Sequence, residues 1–382
     1  MRPVLVLILH PTAPAGAGPL VRALAEARGA LAEGQRAAFL AAGADSAEVV
    51  TGPPDGLSFG ERLRAAVAAR AGPAPGEPGE PGLQGEPGGL IVLGSGSIPL
   101  ATATDLRRFV EVAAGAGGHA LANNRYSADV VAISRPADLA GLPPLPADNA
   151  LPRWLEERAG VTVTDLRSRW RLGVDVDTPL DLIVLRDPAA RGFLAAARDL
   201  GAAAPLIGER LAALTEVLSN RRAELLLAGR VSATTLMWLE RGVACRVQAL
   251  VEERGLRAAS RLAQSGATTG SRPPRSVLGE LLDRDGPDAL ADTVGRLADA
   301  AVIDSRVLIA HRHGSDDAAW PPPEDRFASD LLLPDAVADP WLRALTASAA
   351  AAPADGPIVL GGHTLVNGGL RLLAQRARAG AR

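Results

Sequence analysis

Short apolar runs of strand length alternate with Ala-, Leu- and Arg-rich runs of helical period through the first half of the chain. This alternation limits the fold more than any other feature of the sequence. VLVLIL, Val4 to Leu9, is the first strand-like run, and PLVRALAEARGALAEGQRAAFLAAGA follows at helical spacing. SAEVVTG is then extended, SFGERLRAAVAARA helical, and GLIVLGSGS extended again. TATDLRRFVEVAAG reads as a helix with Thr104 as its N-cap and Asp105 in its first turn. ADVVAIS, NALPRWLEERAG and VTVTDL continue as strand, helix and strand. Strands separated by helices predict an α/β fold: three layers, with a mostly parallel sheet covered on both faces.

From about Pro205 the texture changes. LIGERLAALTEVLSNRRAELLLAGRVSATTLMWLERGVACRVQALVEERGLR has dense helical spacing, and SGATTGSRPPRS reads as a linker. The 382 residues suit two domains, expected here as 1–198 and a mostly helical 199–382 with a few strands. The second domain would close over a cleft or form a homo-oligomer contact. The collagen-like GEPGEPGLQGEPGG, inside a loop spanning 72–89, is far too short for a triple helix.

What the chain lacks narrows the chemistry. All 40 basic Lys-or-Arg positions are arginine, which excludes a Walker-type lysine, a pyridoxal Schiff base and a lysine general base. Cys245 is the single cysteine, so there is neither an intrachain disulfide nor a cysteine-cluster zinc site. A reducing, cytoplasmic setting fits that usage. The run Val4 to Leu9 is short for a secretion signal, and His10 and Pro11 interrupt it. No stretch suits a membrane span. The net charge of −3 gives no overall attraction to nucleic acid.

The richest motif is RLGVDVDTPLDLIVL, Arg171 to Leu185. Thr178 suits an N-cap and Pro179 the first helical position, so a helix starts directly after two aspartates. At the carboxyl end of a parallel sheet, Asp175 and Asp177 could hold a divalent cation that bridges phosphate oxygens. Alternatively Asp177 caps the turn and Asp175 is solvated.

GVDVDTPLDLIVL resembles the closing motif of nucleotidyltransferases with the glycosyltransferase-A-type fold. Molybdenum-cofactor guanylyltransferase-like and 2-phospho-lactate guanylyltransferase-like proteins belong to that group. GLSFGERLRAAVAA and LIVLGSGSIPLATATDLRRFVEVA extend the resemblance over about residues 1–195. The resemblance implies a nucleotide-diphospho-sugar transferase-like sheet. It also implies metal-dependent transfer from a nucleoside triphosphate or nucleotide sugar, with Mg²⁺ or Mn²⁺ on Asp177 supported by Asp175. Gly16, Gly18 and Arg22 would lie against the phosphates, and Ser95 and Ser97 would line the nucleotide; Asn123, Asn124 and Tyr126, in the polar cluster of ALANNRYSADVVAIS, would contact the acceptor, or the cluster is turn chemistry. Three positions depart from the pattern. The turn after the central strand is GSGSIPL, where the family carries a metal aspartate; Asp129, which opens the following strand, is one candidate substitute or simply a strand-end residue. The first loop, HPTAPAGAGPLVR, is not Gly-rich with a strong cation. Lysine is missing altogether. These departures leave a second expectation open, a catalytically inactive descendant serving as a binding or scaffold module.

The second half offers weaker clusters. HRHGSDDAAWPPPEDRFASD reads as a polar loop that gathers His311, His313, Asp316, Asp317, Glu324, Asp325, Arg326 and Asp330, anchored by Trp320 and Phe327. It fits no familiar zinc spacing. VLGGHTLVNGGL places Gly361, Gly362 and His363 between a strand and a helix. Arg241, Arg246 and Arg254 read as charges on a packed helix, and Cys245 as core.

Overall fold

The strand-like runs of the first half form one six-stranded sheet. In the computed structural model, β1 (Val4–Pro11), β2 (Ser46–Gly52), β3 (Gly89–Gly94), β4 (His119–Ala122), β5 (Val130–Ile133) and β6 (Thr162–Asp165) lie in the order β2-β1-β3-β5-β4-β6. The described residues are 2–53, 56–69, 88–145, 150–186, 190–253 and 274–380; most of the collagen-like loop, most of the expected linker and Arg254 lie outside them. β1 runs parallel to β2 and β3, and β4 runs parallel to β6. β5 is antiparallel to both β3 and β4, so the sheet is mixed.

Alternation along β1 explains why the sheet is covered on both sides. Val4, Val6 and Ile8 point into one core with Phe39, Leu106 and Phe109, from the helices Pro19–Ala41 and Ala103–Ala113. Leu5, Leu7 and Leu9 point into the other, with Leu63, Leu151 and Leu155 from the helices Phe59–Ala68 and Leu151–Glu157. Each fully buried Leu or Phe contributes about 1.5–3 kcal/mol relative to exposure.

The second half was expected to be mostly helical with a few strands; helices do predominate there, and the strands, rather than being scattered, form one parallel four-stranded sheet. β7 (Glu224–Gly229), β8 (Arg246–Val251), β9 (Ala300–Asp304) and β10 (Ile358–Gly361) lie in the order β10-β9-β7-β8, every neighbouring pair parallel. The stretch read as one packed helix with Arg241 and Arg246 on its face is a strand–helix–strand unit. β7 leads into the helix Ala233–Gly242 and returns as β8, so Arg241 ends a helix and Arg246 opens a strand. The polar loop after His311 contains the helix Pro323–Asp330.

Contacts divide the chain into two units, neither of them continuous in sequence. One comprises Met1–Gly16, Ala25–Asp175 and Pro188–Phe193, and the other Ala17–Leu24, Val176–Asp187 and Leu194–Arg382. No helix among the described residues is long and apolar enough to cross a membrane.

Candidate functional site

Thr178 caps the helix Pro179–Leu185 as its sequence predicts, with Pro179 in the first turn. The third aspartate of the motif does the structural work. One oxygen of the buried Asp181 carboxylate accepts from the backbone N–H of Asp177 (3.0 Å) and of Thr178 (2.8 Å) and from the Thr178 hydroxyl (3.0 Å). Thr178 returns the bond by accepting from the Asp181 N–H, which completes a reciprocal capping box. Asp177 projects into solvent and Asp175 is half-buried. The two fall on opposite sides of the division between units, Asp175 closing a segment of the first and Asp177 near the start of a segment of the second. The helix Ala103–Ala113 shows the same device, starting two residues earlier than expected. Thr102, not Thr104, is its N-cap, because only Thr102 stands three residues before Asp105 and can exchange bonds with it.

In the first unit, the strand order reverses between β1 and β3, and parallel sheets bind ligands at such a point beyond their carboxyl ends. His10 is the penultimate residue of β1 there and Ser95 follows β3, with His10 Nδ1 3.1 Å from the Ser95 hydroxyl. Burial, and then the charge of Arg28, hold the His10 pKa below its ordinary value, which favours the neutral ring. Ser95 is fully buried and Ser97 is 5% exposed; the Ser97 carbonyl accepts from the Gln35 amide. An antiparallel bridge pairs Ser97 with Asp175, so a half-buried carboxylate-bearing residue runs beside the turn that has none of its own.

Of the three expected acceptor residues, two shape a turn. The Asn123 amide donates to the Asp129 carboxylate (2.7 Å) and the Leu172 carbonyl (2.8 Å), and its oxygen accepts from the N–H groups of Asp129 and Val130. All of its ordinary hydrogen-bonding capacity is used within the chain. Asp129 is held by the same bonds. Asn124 accepts from the Tyr126 N–H at 3.0 Å. Tyr126 itself remains 55% exposed.

The loop expected to lie against phosphates meets one of the chain's own carboxylates. Gly16 adopts φ +78°, and Gly18 lies so close to the Glu324 carboxylate that any Cβ would overlap it. Glu324 accepts from the N–H groups of Leu20 (2.9 Å) and Val21 (3.1 Å) at the start of the helix Pro19–Ala41. Those unpaired donors are where an anion would bind, and the chain fills them with its own carboxylate. Arg22 is exposed and donates to the Ala17 carbonyl.

The second sheet reverses its order between β7 and β9, and buried polar residues gather at its carboxyl edge. Arg230, just past β7, grips Asp304 at the end of β9 with two bonds of 2.5 and 3.1 Å. Arg306 forms a bidentate pair with Asp330, and its second bond is 2.6 Å. Asp304, Ser305 and Asp330 are fully buried. Burial opposes charge on Arg306, but the carboxylates of Asp330, Asp304 and Asp181 outweigh it and raise its pKa. The Asp181 that closes the Thr178 capping box therefore also faces this ion network. Ser305 donates to the Gly361 carbonyl at 3.2 Å. Asn367, in the π-turn Leu365–Gly369, accepts from the Ser232 N–H and the Thr235 hydroxyl. It donates to the carbonyls of Arg230 and His363. His363 is half-buried beside the buried Gly361 and Gly362.

The other polar residues of the second half are dispersed into structural roles. His311 Nδ1 accepts from the Ser276 N–H and its Nε2 meets Asp283, both at 3.0 Å, which sets the Nε2–H tautomer and leaves no free ring nitrogen for a metal. Asp325 accepts from the N–H groups of Ala338 and Asp339, Asp316 caps the turn at Ala318, and Trp320 donates to the Gly314 carbonyl. Arg326 lies over Trp320, 5.6 Å from the ring centre. Burial pushes the Cys245 thiol up to about 11, which makes it an inert core residue. Among the described residues, no three His, Cys, Asp or Glu side chains converge as a metal site, and Asp175 and Asp177 form only a pair of unlike exposure.

His10, Glu324, Arg230, Asp304 and Arg306 had no part in the sequence-level site, apart from Glu324 as a loop charge. The signal for Arg230 and Asp304 was the placement of each at the end of an apolar run, LLLAG-R and AVI-D. No family model matches this chain, and neither a curated protein nor a solved structure matches it.

Proposed function

We propose that this chain is a ligand-binding α/β protein, with a first sheet like that of the nucleotidyltransferases but without metal-dependent transfer. The observation that carries this reading is the Glu324 carboxylate on the Leu20 and Val21 N–H groups. A triphosphate would need those donors, and it would meet a fixed negative charge there instead. The burial of Ser95 and the saturation of Asn123 support the same reading. The ligand seat in this reading is the carboxyl edge of the second sheet, where Arg230, Asn367 and His363 gather at a reversal of strand order.

The test is a thermal-shift panel of nucleoside triphosphates and nucleotide sugars, each with and without Mg²⁺ or Mn²⁺. A ligand at a hundredfold its dissociation constant stabilises by about 2.7 kcal/mol. We expect the metal to add nothing to any nucleotide's effect. The second reading, a metal-dependent nucleotidyl or glycosyl transferase, is favoured by the bridge that sets Asp175 beside Ser97. Metal-dependent stabilisation that disappears in Asp177→Ala and Asp175→Asn would establish it and overturn the first.

A further inference from the structure

Tyr126 is the chain's one tyrosine, and the only aromatic among the large apolar side chains left exposed in the described residues. It stands just past β4, and Arg167 just past β6; these neighbouring strands are parallel, so both residues lie at the carboxyl edge of the first sheet. The guanidinium carbon of Arg167 is 5.0 Å from the ring centre and that of Arg125 is 5.6 Å. Each arginine is also tethered, Arg125 to Glu156 and Arg167 to Asp165 at 2.8 Å. The loop is fixed from beneath by the four bonds of Asn123 and by the Asn124 turn. An exposed ring with two cations is thus held in place before any ligand arrives, which lowers the ordering cost of binding.

We infer that Tyr126, Arg125 and Arg167 form a metal-independent site for a mononucleotide, with the base stacked on the phenol ring and the phosphate taken by the guanidiniums. Base–aromatic stacking tolerates any base, because each has a π-face, and guanidinium forks match phosphate oxygens. A nucleic-acid strand fits less well. Among the described residues only Arg125 and Arg167 stand over the ring, and the chain's net charge of −3 gives no overall attraction to a polyanion. This site is independent of the Glu324 seat and of the second sheet's edge.

A single tyrosine makes a direct test available. Biosynthetic 3-fluorotyrosine gives one fluorine resonance, which is titrated with the four ribonucleoside monophosphates in EDTA, and separately with uncharged nucleosides and inorganic phosphate. We expect a saturable shift with at least one monophosphate, at least tenfold tighter than with its nucleoside or with phosphate. By calorimetry, Tyr126→Ala and Arg167→Gln should weaken binding at least tenfold, and Tyr126→Phe should stay within about threefold because the ring survives. The absence of any saturable shift at millimolar monophosphate overturns the inference. So does equal binding by Tyr126→Ala, or a response that phosphate alone reproduces. Because divalent metal is excluded, none of these outcomes depends on the transferase question.

Discussion

At the scale of single residues, buried polar groups show where the chain tolerates least change. Arg306 and Asp330 are a fully desolvated pair at the end of the second sheet. Arg306→Met removes the cation and leaves a buried carboxylate uncompensated, which should cost about 3–5 kcal/mol in urea unfolding. Adding Asp330→Leu should return much of that loss; a double variant no better than the single one would show that the pair does not act alone. His10 makes a prediction in pH. Its native pKa lies below the unfolded value of about 6.5, because burial and Arg28 disfavour its charge. As pH falls the unfolded chain takes up the proton first. The stability this group supplies is therefore complete above about pH 6.5 and is lost as pH drops toward its lowered native value. His10→Asn should make the melting temperature less sensitive between about pH 7 and pH 5 than in the native chain. Parallel slopes would remove His10 from the acid response.

At the scale of elements, what the sequence discloses depends on how local the determinant is. The strands of the first half were legible because VLVLIL and GLIVLG are rich in Val and Ile, and each closes on turn residues. Thr178 and Pro179 were legible because a cap and its helix are contiguous. β7 was hidden, because AELLLAG is composed of good helix formers and sits between helical stretches; tertiary pairing with β9 overrides that local preference. The role of Asn123 was out of reach for another reason. One of its partners is Leu172, 49 residues away, and Glu324 meets Leu20 across 304 residues. The punctuation of β7 was present in Gly229, which takes φ +122° and lies so close to Asp304 that a Cβ would overlap it. Gly229→Ala should lose at least about 1–3 kcal/mol from backbone strain, before the steric overlap is added. An unchanged melting temperature in that variant would mean that the β7 turn relaxes without cost.

At the scale of the whole molecule, the order of the chain and the membership of the two units do not coincide. Residues 176–187 lie within the span that resembles a nucleotidyltransferase, yet they pack with the second unit. The reason is visible in the helix Pro179–Leu185, where Leu180, Leu182, Ile183, Val184 and Leu185 are at most 4% exposed. That helix contacts the helices Pro323–Asp330 and Leu370–Gly380, and Arg376 donates to the Val184 carbonyl at 2.7 Å. Seven residues of isolated helix are far below the length that is stable in water, so its packing partners hold it. A chain cut after residue 198 would keep the motif and lose all of these contacts. Five apolar side chains would enter solvent, each at about 1.5–3 kcal/mol, and such a patch promotes association. The 1–198 fragment should therefore bind a hydrophobic dye and elute as an aggregate, while Leu182→Glu and Ile183→Glu in the same fragment should restore a monomer. A soluble, cooperatively melting fragment without those changes would show that the Asp-Thr-Pro helix is held by the first sheet alone, and that the unit boundary follows the sequence after all.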